Sequence, residues 1–175
     1  MDHGEQAAAP THARITLDGA WPGGHTGAMD GPHGDAICGA ADIRRGVARA
    51  LSAADQAVLR EVPLGNGRRV DLLALDRSGR VTLVEIKSCR ADFRADRKWQ
   101  SYLDYCDRFY FAVAAGFPLD LLPPDEGLIL ADRFGGEILR EARPRSLSPA
   151  RRKAMLIRFG HASAGRLQAL LDPPV

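Results

Sequence analysis

Two apolar runs, Val70 to Leu75 and Val81 to Ile86, flank Asp76-Arg77-Ser78-Gly79 and leave the chain little choice of fold around them. Short apolar runs bounded by turn residues are the arms of a β-hairpin. A three-residue loop, Arg77-Ser78-Gly79 with Gly79 left-handed, sets Asp76 opposite Arg80 and Asp71 opposite Glu85. Side chains alternate along a strand, so Glu85 and Lys87 share a face that a directly paired Asp71 joins. Directly opposed side chains have Cβ atoms about 5 Å apart, where like charges repel. Two carboxylates and a lysine on otherwise apolar strands are therefore costly for stability alone, and a ligand bound between them is expected.

A divalent metal fits that expectation. Carboxylates are hard oxygen ligands, and Mg²⁺ takes one or two of them with water or substrate phosphate completing its shell. Mn²⁺ is the natural substitute. Such an ion removes the repulsion, polarises a phosphodiester and acidifies a bound water. Asp71, Glu85 and Lys87 are the candidate catalytic residues, with Lys87 orienting the water or stabilising charge on the phosphorane. Asp71 and Glu85 are the candidate metal ligands. Glu61, on the preceding strand, is either a further ligand or an ion-pair partner of Arg68 or Arg69. The competing reading makes Asp71 the end of an edge strand and Glu85–Lys87 a surface ion pair.

The 175 residues are 45% hydrophobic and 26% charged, enough for one globular domain with a real core. The opening Met1-Asp2-His3-Gly4-Glu5 has no basic or apolar signal region, and no apolar run reaches the length of a membrane span. Cys38, Cys89 and Cys106 are odd in number and scattered, which favours a reducing cytoplasm over disulfides or zinc. Residues 1–36 are rich in Gly, Ala, Pro and His without periodicity and read as a disordered tail. Residues 37–175 form the folded domain.

A helix is expected from Ala40 to Ala54, with Ile43, Val47, Ala50 and Leu51 on one stripe and Arg44, Arg45 and Arg49 off it. Ala57 to Leu64 reads as a strand ended by Gly65-Asn66-Gly67. Asp92 to Asp107 shows helical periodicity, with Ala95, Trp99, Tyr102, Leu103 and Cys106 on one stripe. Arg108 to Val113, Gly127 to Ala131 and Glu137 to Ala142 are further strands. Ser148 caps a last helix running to Leu171, with Pro149 at its first position and Gly160 and Gly165 as candidate breaks. The order implies an α/β fold, a mixed β-sheet flanked by helices.

Two clusters of cations are candidates for phosphate contact. Arg94, Arg97 and Lys98 form a second stripe on the Asp92–Asp107 helix, near the end of the Glu85–Lys87 strand. Residues 143 to 166 include Arg151, Arg152 and Lys153 among seven cations with no Asp or Glu. Crowded like charge favours a polyanionic partner. Pairing with acids elsewhere in the fold is the alternative.

Asp71, with Glu85-Ile86-Lys87 on the next strand, resembles the PD-(D/E)XK nuclease superfamily, although Val70 stands where that motif writes Pro. The wider sequence is similar to the MmcB family of bacterial DNA-repair proteins. That similarity is carried by Glu61-Val62-Pro63-Leu64, Gly67-Arg68-Arg69-Val70-Asp71, Val84-Glu85-Ile86-Lys87-Ser88, the Ala91–Trp99 stretch and the Tyr105–Ala112 stretch. The resemblance implies a restriction-endonuclease-like core and a DNA-repair role. Together with the candidate metal site at Asp71, Glu85 and Lys87, it leads to the expectation of a Mg²⁺-dependent hydrolase acting on damaged, branched or single-stranded DNA in the cytoplasm, at the nucleoid. The alternative is a non-cleaving module of the same fold that binds DNA or other repair proteins. The motif does not read the sugar, so RNA remains open as a substrate.

Overall fold

A computed structural model describes residues 39–95 and 98–173, without the side chains of Asp92, Arg94 and Ala95. The expected tail, Arg97 and the Arg94 side chain therefore lie outside the described residues.

Six strands form one mixed sheet in sequential order: β1 (Ala57–Pro63), β2 (Arg69–Leu75), β3 (Val81–Ile86), β4 (Arg108–Val113), β5 (Gly127–Ala131) and β6 (Gly136–Arg140). β1, β2 and β3 run as an antiparallel meander, β4 and β5 join in parallel, and β6 returns antiparallel. The central hairpin adopts the expected register, with Leu75 paired to Val81 and Leu72 to Val84. Its turn is built by Asp76, whose carboxylate accepts from the Ser78 and Arg80 amides at 2.8 and 2.9 Å. Gly79 closes it at φ 77°, a left-handed conformation that glycine adopts without a Cβ clash. Burial opposes ionisation of Asp76, but hydrogen bonds from Ser78 and Arg80 and the Arg80 charge hold its pKa at about 2.

Helix α1 (Ala40–Ala53) covers one face of the sheet. Its stripe of Ile43, Val47 and Leu51 packs with Leu72, Val84, Ile86, Tyr110 and Ile129. Gly46 lets it approach the β5–β6 turn: a Cβ there would lie 1.8 Å from the Asp132 carbonyl oxygen.

The other face is covered by aromatic side chains and by helix α3 (Pro149–Leu171). The single helix expected over residues 92–107 is instead α2 (Arg90–Ala95) followed by a 3₁₀ segment, Trp99–Tyr105. Aromatic residues, Ser and Asp are weaker α-helix formers. In this tighter helix Trp99 and Tyr102 stand one above the other. Both rings stack on Phe109, at 5.8 and 6.2 Å between centroids.

Ser148 caps α3 through the Arg151 amide, as expected, but Gly160 and Gly165 do not break it. Each glycine costs about 1 kcal/mol relative to alanine, and the Ala, Leu, Arg and Gln around them are strong helix formers. On α3 Met155 is buried, whereas Ile157 is exposed. Among the described residues, no helix is long and apolar enough to cross a membrane.

Candidate functional site

The site lies where β2 parts from β3. Antiparallel pairs alternate between hydrogen-bonded and non-bonded types. The Asp76 amide donates to the Arg80 carbonyl, so Leu72/Val84 and then Val70/Ile86 belong to the bonded class. The ladder stops at Leu72/Val84, and the Ile86 amide donates to Asp71 Oδ2 at 2.9 Å in place of a β2 carbonyl. A side-chain carboxylate thus replaces a rung of the sheet, and the same register carried one residue past Leu72 sets Asp71 across from Glu85.

β1 is interrupted at the same level. Arg60 pairs with Leu72 and Val62 with Val70, leaving Glu61 beside Asp71 with a left-handed backbone at φ 48°. That conformation costs a non-glycine residue about 1–2 kcal/mol. Both strands reverse face here: Val70 joins the same core cluster as Leu73, three residues on, and Val62 the one that Leu59 packs against. Glu61, Asp71 and Glu85 therefore form a row across three adjacent strands.

Glu85 on β3 is 9% exposed and Lys87, one residue past its end, 3%, and Lys87 Nζ lies 3.3 Å from Glu85 Oε1. The surface ion pair of the competing reading is thus a buried one, whose desolvation makes it a poor device for stability alone. The Lys87 amide donates to the Ala112 carbonyl at 2.9 Å, which keeps its backbone in the sheet. Burial pushes the Asp71 carboxyl above its ordinary pKa. The Ile86 amide and the charges of Arg44 and Lys87 pull it back, while Glu61 adds to the rise.

Glu61 takes the second of its two expected roles, with an unforeseen principal partner. Arg44 of α1 reaches its carboxylate at 2.8 Å, and Arg69 lies 3.6 Å away. In the sequence Arg44 is one of three arginines off the apolar stripe, and nothing local marks it as facing β1. Among the described residues, no group of three or more His, Cys, Asp and Glu side chains converges to hold a metal. Asp71 and Glu85 remain as a two-carboxylate set, which suits Mg²⁺ or Mn²⁺ because Mg²⁺ needs only one or two carboxylates.

The expected phosphate-contacting cations are dispersed. Lys98 and Lys153 are exposed. Arg151 stacks over the Tyr105 ring at 4.7 Å and donates to the Asp104 carbonyl. Arg152 is a structural anchor: its guanidinium makes two 2.7 Å bonds to Asp107 and a third to the Gly79 carbonyl. The Asp107 carboxylate also accepts from the Val81 and Leu147 amides. This hub ties α3 to the start of β3, and the sequence hides it because its members are far apart in the chain. Cys89, near Lys87, is exposed, whereas Cys106 is buried and its thiol pKa is pushed up by desolvation.

A solved structure of a protein of unknown function from Silicibacter pomeroyi is 47% identical to this chain, with a TM-score of 0.73 over 77% of this chain and 92% of that one. No curated protein matches the sequence significantly. The model of a family described as DNA repair protein MmcB-like matches residues 30–174. With most of its length inside that match, the chain belongs to the MmcB-like family of DNA repair proteins.

Proposed function

We propose that this DNA-repair protein is a metal-dependent nuclease of the PD-(D/E)XK type, acting on damaged, branched or single-stranded DNA. The observation that carries the reading is the row at the β2–β3 split, where Asp71 takes the place of a ladder carbonyl beside the buried Glu85–Lys87 pair. Asp71 and Glu85 would hold Mg²⁺ or Mn²⁺. When bound, the ion neutralises the two carboxylates, polarises a phosphodiester and acidifies a water. Glu85 fixes the Lys87 ammonium within the site, where it orients the attacking water and balances charge on the phosphorane. Glu61, turned to Arg44, sets the field around Asp71 rather than serving as a ligand. Direct attack by water needs no covalent intermediate. Phosphates and shape guide binding, because the fold presents no base-reading module among the described residues.

The test incubates the purified protein with Mg²⁺ or Mn²⁺ and labelled single-stranded, duplex, flap and fork DNAs, scoring binding and products in the same samples. Metal-dependent products that vanish in Asp71→Asn and Lys87→Met while binding persists are expected. Salt-sensitive binding without products on any substrate would replace the nuclease by a non-cleaving adaptor.

A further inference from the structure

Three elements meet beside the site, and two of them, the β1–β2 turn and α3, bring arginines. The Gly65-Asn66-Gly67 turn between β1 and β2 is held against the 3₁₀ segment by the Asn66 side chain, whose Nδ2 lies 3.4 Å from Ser101 Oγ. A Cβ at Gly65 would lie 3.6 Å from the Tyr105 hydroxyl and 3.8 Å from the Arg158 guanidinium. Arg158 of α3 donates to the Pro63 carbonyl at 2.8 Å, and Arg166 donates to the Glu61 carbonyl at 3.1 Å. Arg151 stacks on Tyr105, while Arg68 and Arg69 leave the turn three and two residues before Asp71. Five guanidiniums thus border the end of β1 and β2 that leads into the carboxylate row.

Their counterions are few. Arg69 is 3.6 Å from Glu61, and Arg151 is 4.0 Å from an Asp104 that is 78% exposed. Arg68, Arg158 and Arg166 pair with no carboxylate among the described residues. A carbonyl or an aromatic face holds a guanidinium in place without neutralising it, so Arg151, Arg158 and Arg166 keep their charge with much of their rotamer freedom already lost. Ordered, uncompensated guanidiniums suit phosphate oxygens, which they contact in a planar, forked geometry.

Resting on the DNA reading above, we propose that Arg68, Arg69, Arg151, Arg158 and Arg166 form the grip for the sugar–phosphate backbone and deliver it to Asp71 and Glu85. The grip reads phosphates, not bases. It keeps Arg151, Arg158 and Arg166 of the basic 143–166 segment but leaves out Arg152, which serves the fold, and adds the turn arginines, which lie outside both charge clusters.

The experiment measures binding of fluorescein-labelled 20-nucleotide single-stranded and duplex DNA by anisotropy across a salt series. It compares wild type, Arg68→Gln, Arg69→Gln, Arg151→Gln and Arg49→Gln. Arg49 is the control: an exposed guanidinium on a carbonyl, Arg133 at 3.1 Å, but on α1 across the sheet. Removing one phosphate-binding guanidinium should flatten the slope of log K against log salt by about 0.9 on duplex and about 0.7 on single strands. The three grip variants are expected to show this drop and Arg49→Gln is not. Arg68→Gln guards against misfolding, because the Arg68 side chain makes no hydrogen bond or ion pair among the described residues. Wild-type binding with slopes unchanged in the grip variants, or lowered equally by Arg49→Gln, would overturn the grip alone. No wild-type binding on either DNA would overturn the DNA reading with it.

Discussion

Replacing Asp107 by Ala should remove a large share of this domain's stability. The carboxylate is 6% exposed and accepts two 2.7 Å bonds from Arg152, with the Val81 amide at 2.8 Å and the Leu147 amide at 3.4 Å. Breaking a buried ion pair by removing one partner costs about 3–5 kcal/mol. Arg152 is 29% exposed, so water partly compensates it and the lower end, about 3 kcal/mol, applies. The orphaned Val81 amide adds about 1 kcal/mol. The sum, about 4 kcal/mol, compares with the roughly 5–15 kcal/mol that holds a typical domain. Asp107→Asn keeps a neutral acceptor for Val81 and should cost about half as much.

Urea unfolding followed by circular dichroism measures both, extrapolated linearly to water. The pH dependence supplies a second reading. Burial opposes ionisation of Asp107, but Arg152 and the two amides hold its pKa below the ordinary 3.8. Its contribution is therefore complete above that unfolded value and lost as pH falls through the lower folded one. Wild type should lose this increment in acid, and Asp107→Ala should lack that part of the slope. A loss under about 1 kcal/mol for Asp107→Ala at neutral pH would refute the hub.

Three further outcomes follow from the same geometry. Gly46→Ala forces a methyl against backbone oxygens of Asp132 and Gly135, and should lower stability by about 1–3 kcal/mol in urea. Glu61→Gly should be more stable than Glu61→Ala by about 1 kcal/mol, because only glycine relieves the left-handed backbone; equal midpoints would show that no strain is held there. Asp71 is raised by burial, so folding favours its protonated form, and wild-type stability falls as pH rises through its folded pKa. Asp71→Asn should therefore unfold at the same or higher urea at neutral pH, while losing the proposed activity.

The sequence reached far where local chemistry decides. Two apolar runs and one left-handed glycine set the register from Asp76 to Leu72. The apolar stripe of Ile43, Val47 and Leu51 placed α1, and Ser148-Pro149 placed the start of α3. Partners distant in the chain were harder to see. Glu61 found Arg44, Asp107 found Arg152, and Arg145 found Glu126 at 2.7 Å, so Arg145 and Arg152 of the basic C-terminal segment serve packing rather than a ligand. A helical period could not distinguish an α-helix from the 3₁₀ turns that stack Trp99 and Tyr102 on Phe109. The Asp71–Ile86 bond depends on two strands separating, which no spacing of residue types reveals.

The proposed chemistry requires that Asp71 and Glu85 jointly hold a divalent ion. Mn²⁺ titration of the purified protein, read by electron paramagnetic resonance of the free ion, tests this without DNA or turnover. Saturable binding that is lost in both Asp71→Asn and Glu85→Gln but kept in Arg68→Gln is the predicted result. Binding unchanged in the two carboxylate variants, or none in wild type at millimolar Mn²⁺, would contradict it.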